Sequence, residues 1–177
     1  NPYKDADEEK EQQLILCKEH RELAREAARK SFVLLKNEEQ ILPLDKTKKT
    51  AFIGPYVNSR NLMGSWSIIG EAKDITTVEE IMAVEEAGNN VVCCQGSPML
   101  GAEVILEGFT EENQATYTPE EEAKMLEEAL EEAKKADQVV LFIGEDRLQS
   151  GEATSNATIQ IPQIQQNLLE RVAEINE

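Results

Sequence analysis

The stretch 137–162, D-Q-V-V-L-F-I-G-E-D-R-L-Q-S-G-E-A-T-S-N-A-T-I-Q-I-P, limits what this chain can fold into more than any other. Residues 139–143 form a continuous apolar, β-rich run without the alternation of a half-exposed strand. They predict a strand buried on both faces of a parallel sheet, with the remaining strands ordered around it. Gly144 ends the run. In open α/β sheets, ligands collect beyond the carboxyl ends of such strands, so the polar loop 145–158, which carries three acids, is the first place to look for chemistry.

The rest of the chain supplies partners for that strand. Leu16, Leu23, Ala24, Ala27, Ala28, Phe32 and Leu35 recur near the helical period and predict one long amphipathic helix over 5–36. Thr50 to Gly54 and Val91 to Cys94 are short apolar runs that read as two further strands. Thr77 with Glu80 three residues on forms a capping box opening a helix that Gly88 would terminate. Thr118, Pro119 and Glu121 mark a second start, followed by an apolar stripe of Ala123, Leu126, Ala129, Leu130, Ala133 and Ala136. Ile164, Leu168, Val172 and Ile175 place a last helix after Pro162. Strands alternating with helices specify right-handed βαβ units, hence an α/β three-layer sandwich with a parallel, flavodoxin-like sheet of three strands. A further strand is expected after the last helix, so the chain reads as a fragment of a larger protein.

Composition narrows the partners. The net charge of −17 repels phosphate backbones and anionic lipid, which excludes nucleic acid and membrane surfaces. Cys17, Cys93 and Cys94 are odd in number and two are adjacent, so a disulfide framework is not expected. No apolar run is long enough to span a bilayer and no signal-peptide core is visible, which led to the expectation of a cytoplasmic protein. His20, alone among charged neighbours, reads as a solvated helix residue, and neither metal nor cofactor is expected. The segment 56–70 has glycines but not the G-x-G-x-x-G spacing of a phosphate cradle.

Motifs in order carry a resemblance. S-G-E-A-T-S at 150–155, then I-Q-I-P and Q-x-x-L-L-E, follow K-S-F-V-L-L-K-N at 30–37, I-L-P-L at 41–44, K-K-T-A-F-I-G-P at 48–55 and G-S-W at 64–66. This order resembles the β-glucosidase-like glycoside hydrolases of family 3. The resemblance implies that residues 1–47 are an interdomain helix and hook. Residues 48–177 would be the first part of a six-stranded C-terminal α/β sandwich, with the catalytic barrel outside this chain.

Retaining glycosidases use two carboxyl groups about 5–5.5 Å apart, a nucleophile and an acid/base. The resemblance puts the nucleophile, an aspartate, on the absent barrel and matches the acid/base to Glu152, with Ser150 beside it; Trp66, the sole tryptophan, offers a flat apolar face to a sugar ring. Trp66 could instead pack in the core, the commoner fate of a single tryptophan. Glu145 is the second candidate, its alternative role being a ligand for neighbouring backbone N–H groups. Asn156 stands where the family commonly has Arg, removing a possible ion pair in the loop. Asn156-Ala157-Thr158 fits a glycosylation pattern that the compartment argument treats as incidental.

The implied function is hydrolysis of β-glucosides or oligosaccharides by a larger enzyme, this part alone being inactive. Two other classes stay open: a stand-alone flavodoxin-like binding module, and an assembly protein that self-associates through an unpaired sheet edge.

Overall fold

The computed structural model describes residues 3, 7–67, 70–84, 90–101, 117–152 and 154–176. They fall into two compact units, 1–44 and 45–177.

In the first unit the single predicted helix is two. Helix α1 spans Glu8–Leu14, capped by the Asp7 carboxylate on the Lys10 N–H at 3.1 Å, and α2 spans Lys18–Ser31. The chain breaks at Leu16, whose φ is 55°. Leu14, Ile15, Leu16 and Cys17 are four consecutive apolar residues, which no single stripe of a helix can accommodate, and the phase is reset there. After Ser31 the backbone is extended, and Asn37 holds the turn by exchanging hydrogen bonds with the Leu42 N–H and C=O at 3.0 and 3.1 Å.

The second unit is built on a parallel sheet in the order β2-β1-β3, with β1 at Thr50–Ile53, β2 at Val91–Cys94 and β3 at Gln138–Leu141. Parallel pairing and the three-layer α/β class agree with the sequence reading, but the centre does not. The strand at its centre is β1, with all four residues buried, while β3 is half-buried at an edge among the described residues. An apolar run records that a strand is covered on its faces. The connections decide which strand has neighbours on both sides.

Those connections leave β1 in opposite directions, first to β2 and then back across β1 to β3. Right-handed crossovers in opposite directions put their helices on opposite faces. Helix α3 (Val78–Val84) therefore belongs to one face, though none of its residues is buried, and α4 (Pro119–Lys135) with α5 (Gln163–Ala173) covers the other.

The side chains follow this division. Ala51 and Ile53 pack with Val92, Cys94, Val139 and Leu141 against Ala129, Leu130, Ala133, Leu168 and Val172. Phe52, one step out of phase, meets Phe142 with ring centroids 5.8 Å apart. The helix starts are as predicted: Thr118 and Glu121 form a reciprocal capping box on α4, and Thr77 and Glu80 exchange the same pair of bonds before α3. Ala123 lies outside the buried stripe of α4. Gly88 and most of the predicted loop after β2 lie outside the described residues.

Gly54 closes β1 under a constraint that only glycine meets. Its φ is 135°, and a Cβ there would run into the backbone of Phe142. The tight approach lets the Phe142 N–H reach the Ile53 carbonyl at 2.8 Å, which carries the β1–β3 ladder past the end of β3.

Candidate functional site

In the order β2-β1-β3 the chain reverses direction across the sheet at β1 and β3, and a crevice opens beyond the carboxyl ends of those two strands. Two loops line it: 54–67 after β1 and 142–162 after β3. Two hydrogen bonds and one close approach bring the loops together. The Tyr56 hydroxyl donates to the Glu145 carbonyl at 2.6 Å, the Asn61 amide donates to the Asp146 carboxylate at 2.9 Å, and Gly151 lies against Ser65. Burial, reinforced by the charges of Asp146 and Glu145, raises the Tyr56 hydroxyl well above the ordinary phenol range, so it stays protonated and remains a donor.

The root of the β3 loop is polar yet buried. Asp146 is 6% exposed. It caps a one-turn 3-10 helix over Arg147–Gln149, accepting the Leu148 N–H at 2.8 Å while its own N–H donates to the Gln149 side chain at 2.9 Å. From the far end, Gln165 of α5 is fully buried and spends its amide on backbone: it accepts the Gly144 N–H at 2.8 Å and donates to the carbonyls of Gly144 and Met99 at 2.9 and 2.6 Å. The end of β3 is thereby fastened to the loop after β2. Beside this frame a cleft of about 480 Å³ is lined by Asn61, Met99, Leu100, Tyr117, Asp146 and Arg147, among others.

The frame presents the residues singled out in the sequence in different ways. Ser150 and Glu152 flank Gly151 and both are exposed. Gly151 has φ 118°, and a Cβ there would sit 3.3 Å from the Ser65 hydroxyl, so the position suits glycine. Glu145 is exposed and accepts from the Asn156 amide at 2.5 Å, a side chain rather than the backbone N–H groups expected. Asn156 thus bridges the two ends of the loop although it cannot form the ion pair an arginine would. Trp66, on the β1 loop, is 67% exposed and does not pack in the core. His20 is exposed on α2 in the other unit.

Sequence reasoning passed over three residues of the frame: Asn61, Asp146 and Gln165. Two left a signal. Asp146 and Gln149 have the spacing of a capping box, and Gln165 interrupts the apolar stripe of α5, three residues before Leu168 and seven before Val172. Nothing in the neighbourhood of Asn61 marks it.

The sequence profile of the glycosyl hydrolase family 3 C-terminal domain matches residues 32–177. A periplasmic β-glucosidase of Salmonella typhimurium is 37% identical over 153 residues, covering 85% of this chain and 20% of the relative. Thermostable β-glucosidase B of Acetivibrio thermocellus is 31% identical over 156 residues, covering 88% and 18%. Among solved structures, a β-glucosidase from Listeria innocua in complex with glucose superposes with a TM-score of 0.75 at 30% identity, over all of this chain and 21% of that one. The chain spans about a fifth of the length of the relatives it matches.

Proposed function

The chain belongs to glycoside hydrolase family 3, of which it carries the C-terminal domain, and from that premise we propose that it is the acid/base-bearing part of a retaining β-glucosidase acting on β-glucosides or short oligosaccharides. The observation that carries the reading is the placement of Ser150-Gly151-Glu152. They form an exposed stretch of the β3 loop, one of the two loops rooted at the sheet's reversal point, and Glu152 follows a glycine of positive φ. An acid that protonates a leaving oxygen has to reach out of its own domain toward a substrate held elsewhere. A loop stiff at its base and open at its tip suits that task.

Glu152 is the proton donor in this reading, and a carboxylate from a barrel domain outside these residues attacks the anomeric carbon. Ser150 and the exposed face of Trp66 border the substrate, the indole against a sugar ring. Glu145, whose carboxylate is engaged by Asn156, keeps the loop closed rather than transferring protons. Residues 1–47 act as the connection between barrel and sandwich, and 48–177 form the first part of the sandwich. Without its partner carboxylate the 177-residue chain is inactive.

The cytoplasmic expectation is corrected. The Salmonella relative is named a periplasmic enzyme, which points to a periplasmic or secreted location. The lack of a signal-peptide core was a poor guide, because such a leader is removed from a mature secreted chain. The ground for calling Asn156-Ala157-Thr158 incidental falls with it; the Asn156 amide is in any case committed to Glu145.

The test is leaving-group dependence in the full-length enzyme. Glu152→Ala should lower kcat for glucosides with poor leaving groups by roughly 10²–10⁴-fold, while activated aryl glucosides, whose departure needs little protonation, lose far less. Equal losses in both classes would assign Glu152 to binding or folding. Aryl-glucosidase turnover by the purified 177-residue chain would overturn its inactivity.

A further inference from the structure

We infer that Asp146, through its bond to Asn61, is a positioning residue that sets where the acid at Glu152 sits; the inference rests on the reading of Glu152 given above. A carboxylate at 6% exposure is costly to bury unless its oxygens are filled, and here both are. One oxygen holds the Leu148 N–H at 2.8 Å inside the loop, and the other holds the Asn61 amide at 2.9 Å across it. With the Asp146 N–H closed onto Gln149, the segment 146–149 is a rigid turn, and Glu152 follows three residues after it.

Asn61 is itself oriented. Its backbone N–H donates to the Ser59 hydroxyl at 3.0 Å, and its amide also faces the Met99 sulfur at 3.9 Å. Beside the Tyr56 bond to the Glu145 carbonyl at the root of the loop, the register of the β3 loop against the β1 loop is held by a charge-assisted hydrogen bond between two side chains that stand behind the exposed tip. A proton donor displaced by about 1 Å can lose on the order of 10²-fold in rate. Because Asp146 acts only through the acid, its loss should appear in the protonation step and not in binding.

The experiment uses the full-length enzyme. Asp146→Asn leaves only a neutral bond, made with the Asn61 amide turned over and its Met99 contact given up, so kcat for poor-leaving-group glucosides should fall roughly 10-fold, with KM nearly unchanged and activated aryl glucosides within about 3-fold of the parent. Adding Asn61→Asp restores the pair in reverse and should bring kcat back to within about 3-fold of the parent. Asn61→Ala, a milder change that removes only the bond between loops, should show the same leaving-group signature; it decides the matter if Asp146→Asn does not fold.

No loss, an equal loss in both substrate classes, or failure of the reversed pair to recover activity in a folded protein would overturn the inference. Glu152→Ala is measured alongside. If it lacks the leaving-group signature, the acid assignment itself fails; if it shows the signature and the Asp146 and Asn61 variants do not, only the positioning role fails.

Discussion

Cys93 and Cys94 are neighbours in the chain, yet the pleat of β2 turns their thiols toward opposite layers, and each feels the acids of the helix on its own side. Burial first, then Glu79 of α3, pushes the Cys93 thiol up. Burial first, then Glu132, Cys93 and Glu128, pushes Cys94 from an ordinary 9.0 to about 11. Above pH 9 the unfolded chain therefore gives up the Cys94 proton while the folded chain keeps it, so the unfolded state binds fewer protons and stability falls with rising pH. The loss should run from about pH 9 to about 11 and then level off. Cys94→Ala should make that decline shallower in urea titrations taken at intervals from pH 8 to 11, and an unchanged slope would count against the assignment. At the same scale, Gly54→Ala forces a Cβ against the Phe142 backbone at a positive φ and should destabilise the fold by roughly 3 kcal/mol or more. An ordinary unfolding midpoint for that variant would show that the β1 and β3 ends can part without cost.

The helices of the second unit owe their limits to chemistry that is local in sequence. Thr118 and Glu121 bond reciprocally, at 3.2 Å to the Glu121 N–H and 2.8 Å to the Thr118 N–H, and Pro119 occupies the first turn. Thr118→Ala should cost about 1 kcal/mol, read as a lower urea midpoint with unchanged steepness. A larger cost would mean that α4 depends on this end for its packing. Strands behave differently. The run at β3 is the longer and more apolar on paper, but β1 is central because it sits between the two crossovers. Likewise, the helical period runs on through Leu16, and only the crowding of four apolar residues in a row signals the break between α1 and α2.

Across the molecule, charge and sheet edges oppose each other. The outer strands β2 and β3 each leave one side without a strand partner among the described residues, which invites edge pairing between copies. A net charge of −17 repels the copies. The 177-residue chain should therefore self-associate, more strongly as salt rises from about 0.05 to 0.5 M and the Debye length shrinks from above 10 Å to a few ångströms. Light scattering at high micromolar concentration would show the mass rising with salt. A strict monomer at both ends of that range would mean that the side chains at these edges suffice to block pairing.

The sequence by itself determined the features set by neighbours a few residues apart. These are the apolar runs that became strands, the capping boxes at Thr77 and Thr118, the end of β1 at Gly54, and a motif order that resembled the right family and put Glu152 in a loop past a strand. Tertiary structure decided what depends on residues far apart in the chain. It put β1 at the centre, because crossover direction lies in the path of the chain and not in the composition of any strand. It left Trp66 exposed, because burial of one side chain is decided by what packs over it. It assembled Asn61, Asp146 and Gln165 into a frame, because a hydrogen bond across 85 residues, like that between Asn61 and Asp146, leaves no periodicity to read.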